Sequence, residues 1–265
     1  MNVWVGLFLT VLSWAATFHL GRYVVASLPP NSAIIWRFTL AACFLLPLVS
    51  VRERWAWAEL WRHRWVLLFL GGIGIAGFQL GMFYGLRSST ATNASLLTSI
   101  SPALTMAFAA IAERRLPRWQ QLLGLGLGIA GVVTVVCRGQ WQVLRNLDFA
   151  RGDLLLIGAG VAWGLYSVVL QRRVRGLSLL QVTAVTITIC ALLMATVSSL
   201  TAPDSVQWPS LRIWPALLLM GLVGSGLAYI WWNDGVARVG AARTASFGNF
   251  VPVLTLLMAV PLGEP

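Results

Sequence analysis

The sequence predicts an all-α polytopic membrane protein. Of its 265 residues, 58% are hydrophobic and 10% are charged, and the mean hydropathy is +0.79. Soluble domains carry about 25% charged residues, so this chain has too few charges to cover a water-exposed surface. The composition therefore disfavours a soluble enzyme, a disordered protein and a nucleic-acid-binding domain.

Nine apolar segments divide the chain, and each is close to the ~20 residues that a helix needs to cross a bilayer. Backbone polar groups must be paired inside lipid, so each segment is expected to be a helix. In chain order the segments are roughly 3–26, 32–50, 65–86, 92–112, 119–138, 152–173, 178–200, 213–235 and 242–262.

The distribution of arginine predicts the orientation of these helices. All nineteen basic residues are arginine, against eight carboxylates, and the net charge is +11. Twelve arginines follow the even-numbered segments, whereas five lie in the loops of the opposite side. Cytoplasmic loops carry the excess of basic residues, so the N-terminus is expected to be cytoplasmic. We expect this positive charge to face anionic lipid and not nucleic acid.

The chain repeats itself at a shift of 150 residues. Gly71 and Gly74 recur as Gly221 and Gly224, and the motif Pro-x-Leu-Thr at 102–105 recurs at 252–255. The shift corresponds to five helices. Because five is odd, the second copy enters the membrane from the other side, which is the inverted repeat found in many secondary transporters.

Two long stretches resemble the EamA-type transporters of the drug/metabolite transporter superfamily. One is residues 226–255, GLAYIWWNDGVARVGAARTASFGNFVPVLT, with LGEP at 262–265. The other runs from Ser13-Trp14 through Gly21-Arg22 and LPP at 28–30 to WRF at 36–38. The similarity covers nearly the whole chain.

This resemblance implies a ten-helix inner-membrane exporter or exchanger of small metabolites. It would consist of two inverted five-helix repeats, which we place at 1–138 and 152–265. The family continues after Gly-Glu-Pro into a tenth helix, whereas this sequence stops at Pro265. We therefore expect nine helices in this chain, with the second repeat one helix short.

Two prolines occupy matching positions inside apolar segments, Pro102 in the fourth and Pro252 in the ninth. Proline removes a helical hydrogen bond and frees the carbonyl four residues earlier. Ser99 and Asn249 lie close by in the sequence. We expect two kinked helices that line a central cavity, although neighbouring hydroxyls could heal such kinks without any role in binding.

Two tryptophans, Trp14 and Trp163, fall near the middles of matching helices, although tryptophan prefers the interface. They are expected either to form cavity walls or to pack in the core. Residues on the same helix faces or in neighbouring helices complete the predicted lining. The full set of candidates is Trp14, Phe18, Arg22, Gln79, Ser99, Trp163, Tyr166, Tyr229 and Asn249.

Ionisable residues are scarce inside the predicted spans, and no carboxylate lies in the middle of one. His19 is a candidate for proton coupling, because histidine changes charge near neutral pH; a hydrogen-bonded packing role is the alternative. Arg22 and Arg37 lie near the external ends of the first two segments, where they could either snorkel or attract an anionic substrate. The balance favours amino acids or similar carboxylates over organic cations.

These observations favour a secondary active transporter that works by alternating access between its two halves. Multidrug or organic-cation efflux is the alternative within this class. An integral membrane enzyme that acts on lipid would need paired acids or histidines at one membrane face, which the sequence lacks, and a channel would need a ring of selectivity groups. No nucleotide-binding motif and no metal-ligand spacing occur, so no cofactor is expected.

The expected partners are a small-molecule substrate and membrane lipid. Glycines four residues apart, such as Gly81 and Gly85, predict close helix packing. That packing could lie inside the protein or at a dimer seam, so both a monomer and a homodimer are compatible with the sequence.

Overall fold

A computed structural model describes residues 1–87, 97, 100–136, 140, 142, 145, 151–174 and 176–262. All regular secondary structure in these residues is helical, which confirms the predicted fold class. Two sequence predictions lie outside the described residues, namely the site residue Ser99 and the turn at 263–265.

Nine helices, which we label α1 to α9, occupy the nine predicted segments within the described residues. Six of them (α1, α2, α3, α6, α7 and α8) are long and apolar enough to cross a membrane. Three of the nine combine several helical pieces, and a short surface helix, Trp57–Arg62, precedes α3. The bounds are α1 Val3–Val25, α2 Pro30–Arg52, α3 Arg64–Phe69 with Leu70–Gly77 and Phe78–Arg87, α4 Ser101–Glu113, α5 Trp119–Val136, α6 Arg151–Arg173, α7 Leu179–Thr201, α8 Trp214–Leu219 with Met220–Leu227 and Ala228–Val239, and α9 Ala241–Ser246 with Phe247–Asn249 and Phe250–Leu262.

Local sequence explains several helix ends. The Asn2 side chain accepts a hydrogen bond from the Trp4 amide (3.0 Å) at the start of α1, and the Ser178 side chain accepts one from the Gln181 amide (3.1 Å) at the start of α7. Pro30 is the first residue of α2, where its missing N–H costs nothing. Gly240 separates α8 from α9 with a φ of 89°, a left-handed conformation that glycine adopts without strain.

The middles of α3 and α8 are wound as π-helix instead of α-helix. The two π segments are Leu70–Gly77 and Met220–Leu227, eight residues each. Their positions differ by 150 residues, which is the shift of the sequence repeat. The π-helix is rare and frequently marks a functional position, so its occurrence in both halves is strong support for the inverted repeat.

Each half places its π-containing helix on the first two helices of the other half. α3 packs against α6 and α7, and α8 packs against α1 and α2. Glycines make this approach possible: a Cβ on Gly71 would lie 2.7 Å from the Thr186 carbonyl oxygen of α7, and a Cβ on Gly221 would lie 2.9 Å from the Arg37 carbonyl oxygen of α2. The two repeats are therefore interleaved.

The helices α2 and α7 pack side by side in the core and are joined at both ends. At one end, Gln181 of α7 accepts from the Ala56 amide (3.0 Å) and donates to the Glu53 carboxylate (3.1 Å). At the other end, the Gln207 amide donates to Ser32 of α2 (2.7 Å). Because the C-terminal end of α2 meets the N-terminal end of α7, the two helices run antiparallel, as an inverted repeat requires.

The glycine pairs lie inside the protein. A Cβ on Gly81 or Gly85 would lie within about 3 Å of backbone oxygens of α6, and one on Gly160 or Gly164 would meet side chains of α4. Internal packing is thus confirmed for these residues. The boundaries of the repeats at 1–138 and 152–265 stay a prediction.

Candidate functional site

A group of aromatic rings fills the centre of the described bundle, where α1, α3, α6 and α8 meet. Trp14 lies with its ring centroid 5.3 Å from that of Trp163 and 5.0 Å from that of Trp232. Trp163 stacks on Tyr166 at 5.2 Å and meets Tyr229 edge to face at 5.7 Å. We call this group the aromatic cluster, and its members are Trp14, Phe78, Trp163, Tyr166, Tyr229 and Trp232.

The aromatic cluster is packed and largely closed to solvent. Trp163, Tyr166, Tyr229 and Trp232 are all buried, and Trp14 is half-buried. Aromatic pairs at such distances contribute about 0.5–1.5 kcal/mol each beyond their area burial. The structure therefore brings together four of the predicted lining residues from both repeats, with their rings in mutual contact.

Polar groups hold the edges of the aromatic cluster. The Tyr166 hydroxyl donates to the Asn233 side-chain oxygen (2.8 Å), and the Asn233 amide donates to the Thr183 hydroxyl (2.8 Å). The Trp232 indole donates to Ser167 (3.3 Å). Gln79 is buried on α3 and is a hydrogen-bonding neighbour of the Tyr229 hydroxyl. These bonds connect α6, α7 and α8 through side chains, so ring positions are tied to helix positions.

The carbonyl of Gly224, in the π segment of α8, receives two side-chain donors. The Trp14 indole Nε1 lies 3.1 Å from it, and Nη2 of Arg37 lies 3.3 Å from it. Nε of Arg37 also donates to the Ser225 hydroxyl at 2.6 Å. The π segment thus links the aromatic cluster to a buried cation.

Arg37 does not snorkel. It is the eighth residue of α2, about 10 Å from the helix start at 1.5 Å per residue, and its exposed fraction is only 9%. The sequence analysis expected Arg37 near the external end of its helix. In the structure its side chain is buried and donates hydrogen bonds to Gly224 and Ser225 of α8. An arginine at a helix centre costs about 2.5–3.5 kcal/mol on insertion scales and less toward the ends, and burial of a cation without an anionic partner is unfavourable as well.

A small cavity lies beside this point, between α1, α8 and α9. Its volume is about 240 Å³, below the ~300–1,000 Å³ of ordinary ligand sites. The lining residues are Leu12, Ser13, Ala16, Thr17, Leu20, Leu219, Val223, Gly224 and Met258.

Other predicted residues lie apart from the aromatic cluster. Phe18 is 51% exposed, and Arg22 is exposed as well. Each step of four residues turns about 40° around a helix, so Arg22 lies about 80° from the face of Trp14. His19 is half-buried, and its Nε2 lies 2.9 Å from the Thr255 carbonyl of α9.

The predicted kink region of α9 is discontinuous. A single 3₁₀ turn at Phe247–Asn249 separates its two α-helical parts, and Pro252 follows in the second part. Pro102 is buried as the second residue of α4. Asn249 faces Gly128 of α5, and its side-chain oxygen is buried without a hydrogen-bond partner. The substrate-binding and coupling roles of all these residues stay predictions.

Two residues of the site, and one residue away from it, gained importance only from the structure. Trp232 joins the aromatic cluster, and its spacing of three from Tyr229 on α8 was the signal that could have shown it. Asn233 is fully buried and accepts a hydrogen bond from the Tyr166 hydroxyl. Away from the site, Asp153 is fully buried in the first turn of α6.

Comparison with known proteins agrees with this architecture. The model of the EamA-like transporter family matches residues 2–137 and 150–265. The chain belongs to the EamA-like transporter family. It is therefore a multi-pass membrane transporter, as its sequence predicts.

Individual relatives of the family are similar over almost the whole chain. The uncharacterized transporter YyaM of Bacillus subtilis is 32% identical over 266 residues, which cover 100% of this chain and 87% of the relative. The aromatic amino acid exporter YddG of Ancylobacter novellus is 24% identical, with 97% of this chain and 87% of the relative covered. A solved crystal structure with 24% identity covers 100% of this chain and 89% of its own, with a TM-score of 0.83, and shows the same fold.

Proposed function

We propose that the protein is a secondary active transporter that exports amino acids or similar carboxylate metabolites across the inner membrane by alternating access. Its N-terminus lies in the cytoplasm, as the excess of arginine after the even-numbered helices indicates. The substrate binds in the middle of the bundle, where the aromatic cluster meets the π segment of α8.

The observation that carries this proposal is that the π-containing helix of each half packs against the other half. α3 rests on the second half and α8 rests on the first, through glycine contacts that repeat at a shift of about 150 residues. Two arrangements related by the repeat then have nearly equal packing, so the protein can alternate between them. A substrate that binds one arrangement more tightly shifts their populations.

The chemistry of the centre supports an aromatic or amphiphilic substrate with a negative group. Indole and phenol rings from α1, α6 and α8 provide apolar faces, and Arg37 provides a buried positive charge next to them. The relative YddG is named an aromatic amino acid exporter. An amino acid combines the ring and the carboxylate that such a site would bind.

Organic-cation efflux fits this centre less well. A buried guanidinium repels a second cation, and in the described part of the chain the buried carboxylate Asp153 lies at the end of α6, away from the middle of the span. An enzyme that acts on lipid would need several catalytic groups together. The residues described here contain no cluster of three or more acids, histidines or cysteines that could hold a metal.

Counterflow in proteoliposomes tests the proposal. Purified protein is reconstituted, the vesicles are loaded with one unlabelled compound, and uptake of its labelled form is followed. The panel contains phenylalanine, tryptophan, alanine and glutamate, with tetraphenylphosphonium as a permanent cation. We expect saturable counterflow of at least one amino acid. Counterflow of the cation alone would instead show multidrug efflux, and turnover of the vesicle lipid would show an enzyme.

A further inference from the structure

We propose that Arg37 is the residue that binds the carboxylate of the transported substrate, an inference that rests on the proposed function. Arg37 lies on α2, and its guanidinium reaches the π segment of α8 inside the bundle. Four observations support this assignment, namely the unfilled hydrogen bonds of the side chain, its charge, its repeat-related position and its neighbours.

The guanidinium has more donors than the protein uses. Arginine carries five N–H groups, and two of them are engaged here, one with the Ser225 hydroxyl and one with the Gly224 carbonyl. Both acceptors are neutral. A carboxylate can accept two parallel N–H bonds from one guanidinium, and the unused donors allow such a pair.

The positive charge also lacks an anionic partner among the described residues, although the guanidinium carbon lies 5.4 Å from the ring centroid of Phe38. Among the residues that the structure describes, no carboxylate lies within ion-pair distance of Arg37. A buried cation is unfavourable unless an anion and further hydrogen bonds accompany it. A substrate carboxylate would supply the missing charge during transport, and its binding would be strengthened by the low dielectric constant of the surroundings.

The second repeat shows that helix packing does not require an arginine at this position. Gly221 packs on the Arg37 carbonyl and on Leu40, and Gly71 packs on the Thr186 carbonyl and on Ile189. Thr186 therefore corresponds to Arg37 at a shift of 149. Its hydroxyl donates to the Val182 and Thr183 carbonyls of its own helix and is also a neighbour of the Tyr166 hydroxyl. The same packing is thus achieved with a neutral side chain, and the arginine provides something else.

The neighbours of Arg37 suit the rest of an amino acid. The Gly224 carbonyl that it contacts also binds the Trp14 indole of the aromatic cluster. Gly224 and Thr17 line the cavity between α1, α8 and α9. A carboxylate at Arg37 would therefore leave the substrate side chain near aromatic rings, whereas Arg22 lies at an exposed position away from them.

The test compares phenylalanine with phenylalaninamide, which has the same ring and amine but a neutral carboxamide. Half-saturation concentrations are measured by counterflow for the wild type, Arg37→Gln and Arg37→Lys. We expect Arg37→Gln to raise the value for phenylalanine at least tenfold, which corresponds to about 1.4 kcal/mol, and to change the value for phenylalaninamide by less than about threefold. Arg37→Lys keeps the charge but loses the planar fork, so its half-saturation concentration for phenylalanine should lie between those of the wild type and Arg37→Gln. Arg62→Gln, at an exposed arginine of the surface helix that precedes α3, is the matched control and should leave both values unchanged.

If Arg37→Gln raises the half-saturation concentrations of both probes equally, Arg37 has a structural role and the proposal is overturned. Unchanged half-saturation concentrations for both probes would overturn it as well. If Arg37→Gln does not fold, Ser225→Ala is measured on the same pair, because it removes the acceptor that orients the guanidinium. An unchanged ratio of the two half-saturation concentrations in that variant would also overturn the proposal. If the wild type transports no amino acid of the panel, the substrate class itself is refuted and the role of Arg37 with it. Failure in the variants alone refutes only the assignment of Arg37.

Discussion

Substitution of Gly71 by alanine should destabilise the protein through the contact between α3 and α7. The new Cβ would lie 2.7 Å from both the Thr186 carbonyl oxygen and the Ile189 Cβ. Neither atom is at the free end of a flexible side chain, so the two helices must separate by several tenths of an ångström.

The size of the effect follows from two opposing terms. Overpacking of a tight core contact costs about 1–3 kcal/mol, whereas alanine is better than glycine inside a helix by about 1 kcal/mol. At the upper end of the first range, the net loss is about 2 kcal/mol. For a chain of this size, such a loss lowers the midpoint of thermal unfolding by roughly 4–8 °C.

The measurement is thermal unfolding of the purified protein in detergent. Gly124→Ala on α5 is the matched control, because a Cβ there would have nothing within 4 Å, and it should leave the midpoint unchanged or raise it slightly. Gly221→Ala, the repeat-related variant, should behave like Gly71→Ala. If Gly71→Ala were as stable as the control, the close contact of α3 with α7 would be refuted.

Three further perturbations test other parts of the structure. Asn233→Leu should lower the free energy of unfolding by about 1–3 kcal/mol, because it leaves the buried Tyr166 hydroxyl without its acceptor. The double variant Asn233→Leu/Tyr166→Phe should recover part of that loss. If the losses of the two single variants simply add in unfolding measurements, the hydrogen bond is contradicted. Gln181→Leu should weaken the junction of α2 with α7 and speed proteolysis of the segment that follows α2, while Ser246→Ala, at an exposed site, should not. Single cysteines are placed at Arg54 and Gln142 in a cysteine-free background. An impermeant maleimide added to intact cells should label the cysteine at 142 and not the one at 54. Labelling at 54 under these conditions would reverse the orientation.

Part of the candidate site was accessible from the sequence because it depends on the repeat. Trp14 and Trp163 were singled out as matching residues, and the structure brings their rings to 5.3 Å. Tyr166 lies three residues after Trp163 on α6, and Tyr229 was a further candidate on α8. In contrast, Phe18 and Arg22 were assigned to the face of Trp14, and both are exposed in the structure. Each step of four residues turns about 40° around a helix, so a side chain one or two steps away can leave a narrow buried face.

The composition and the spacing of apolar segments determined that this is a polytopic membrane protein of nine described helices, because lipid permits few other arrangements of the backbone. The matched glycines and prolines determined the inverted repeat. Only the tertiary structure decided that the middles of α3 and α8 are π-helices and that each rests on the opposite half, because their glycines pack against residues far away in the sequence, such as Thr186 beside Gly71 and Arg37 beside Gly221. The burial of Arg37 was decided in the same way. From the sequence alone, the side chain of an arginine near a helix end can lie either in water or in the protein core. In this protein it lies in the core, where it donates hydrogen bonds to the Gly224 carbonyl and the Ser225 hydroxyl.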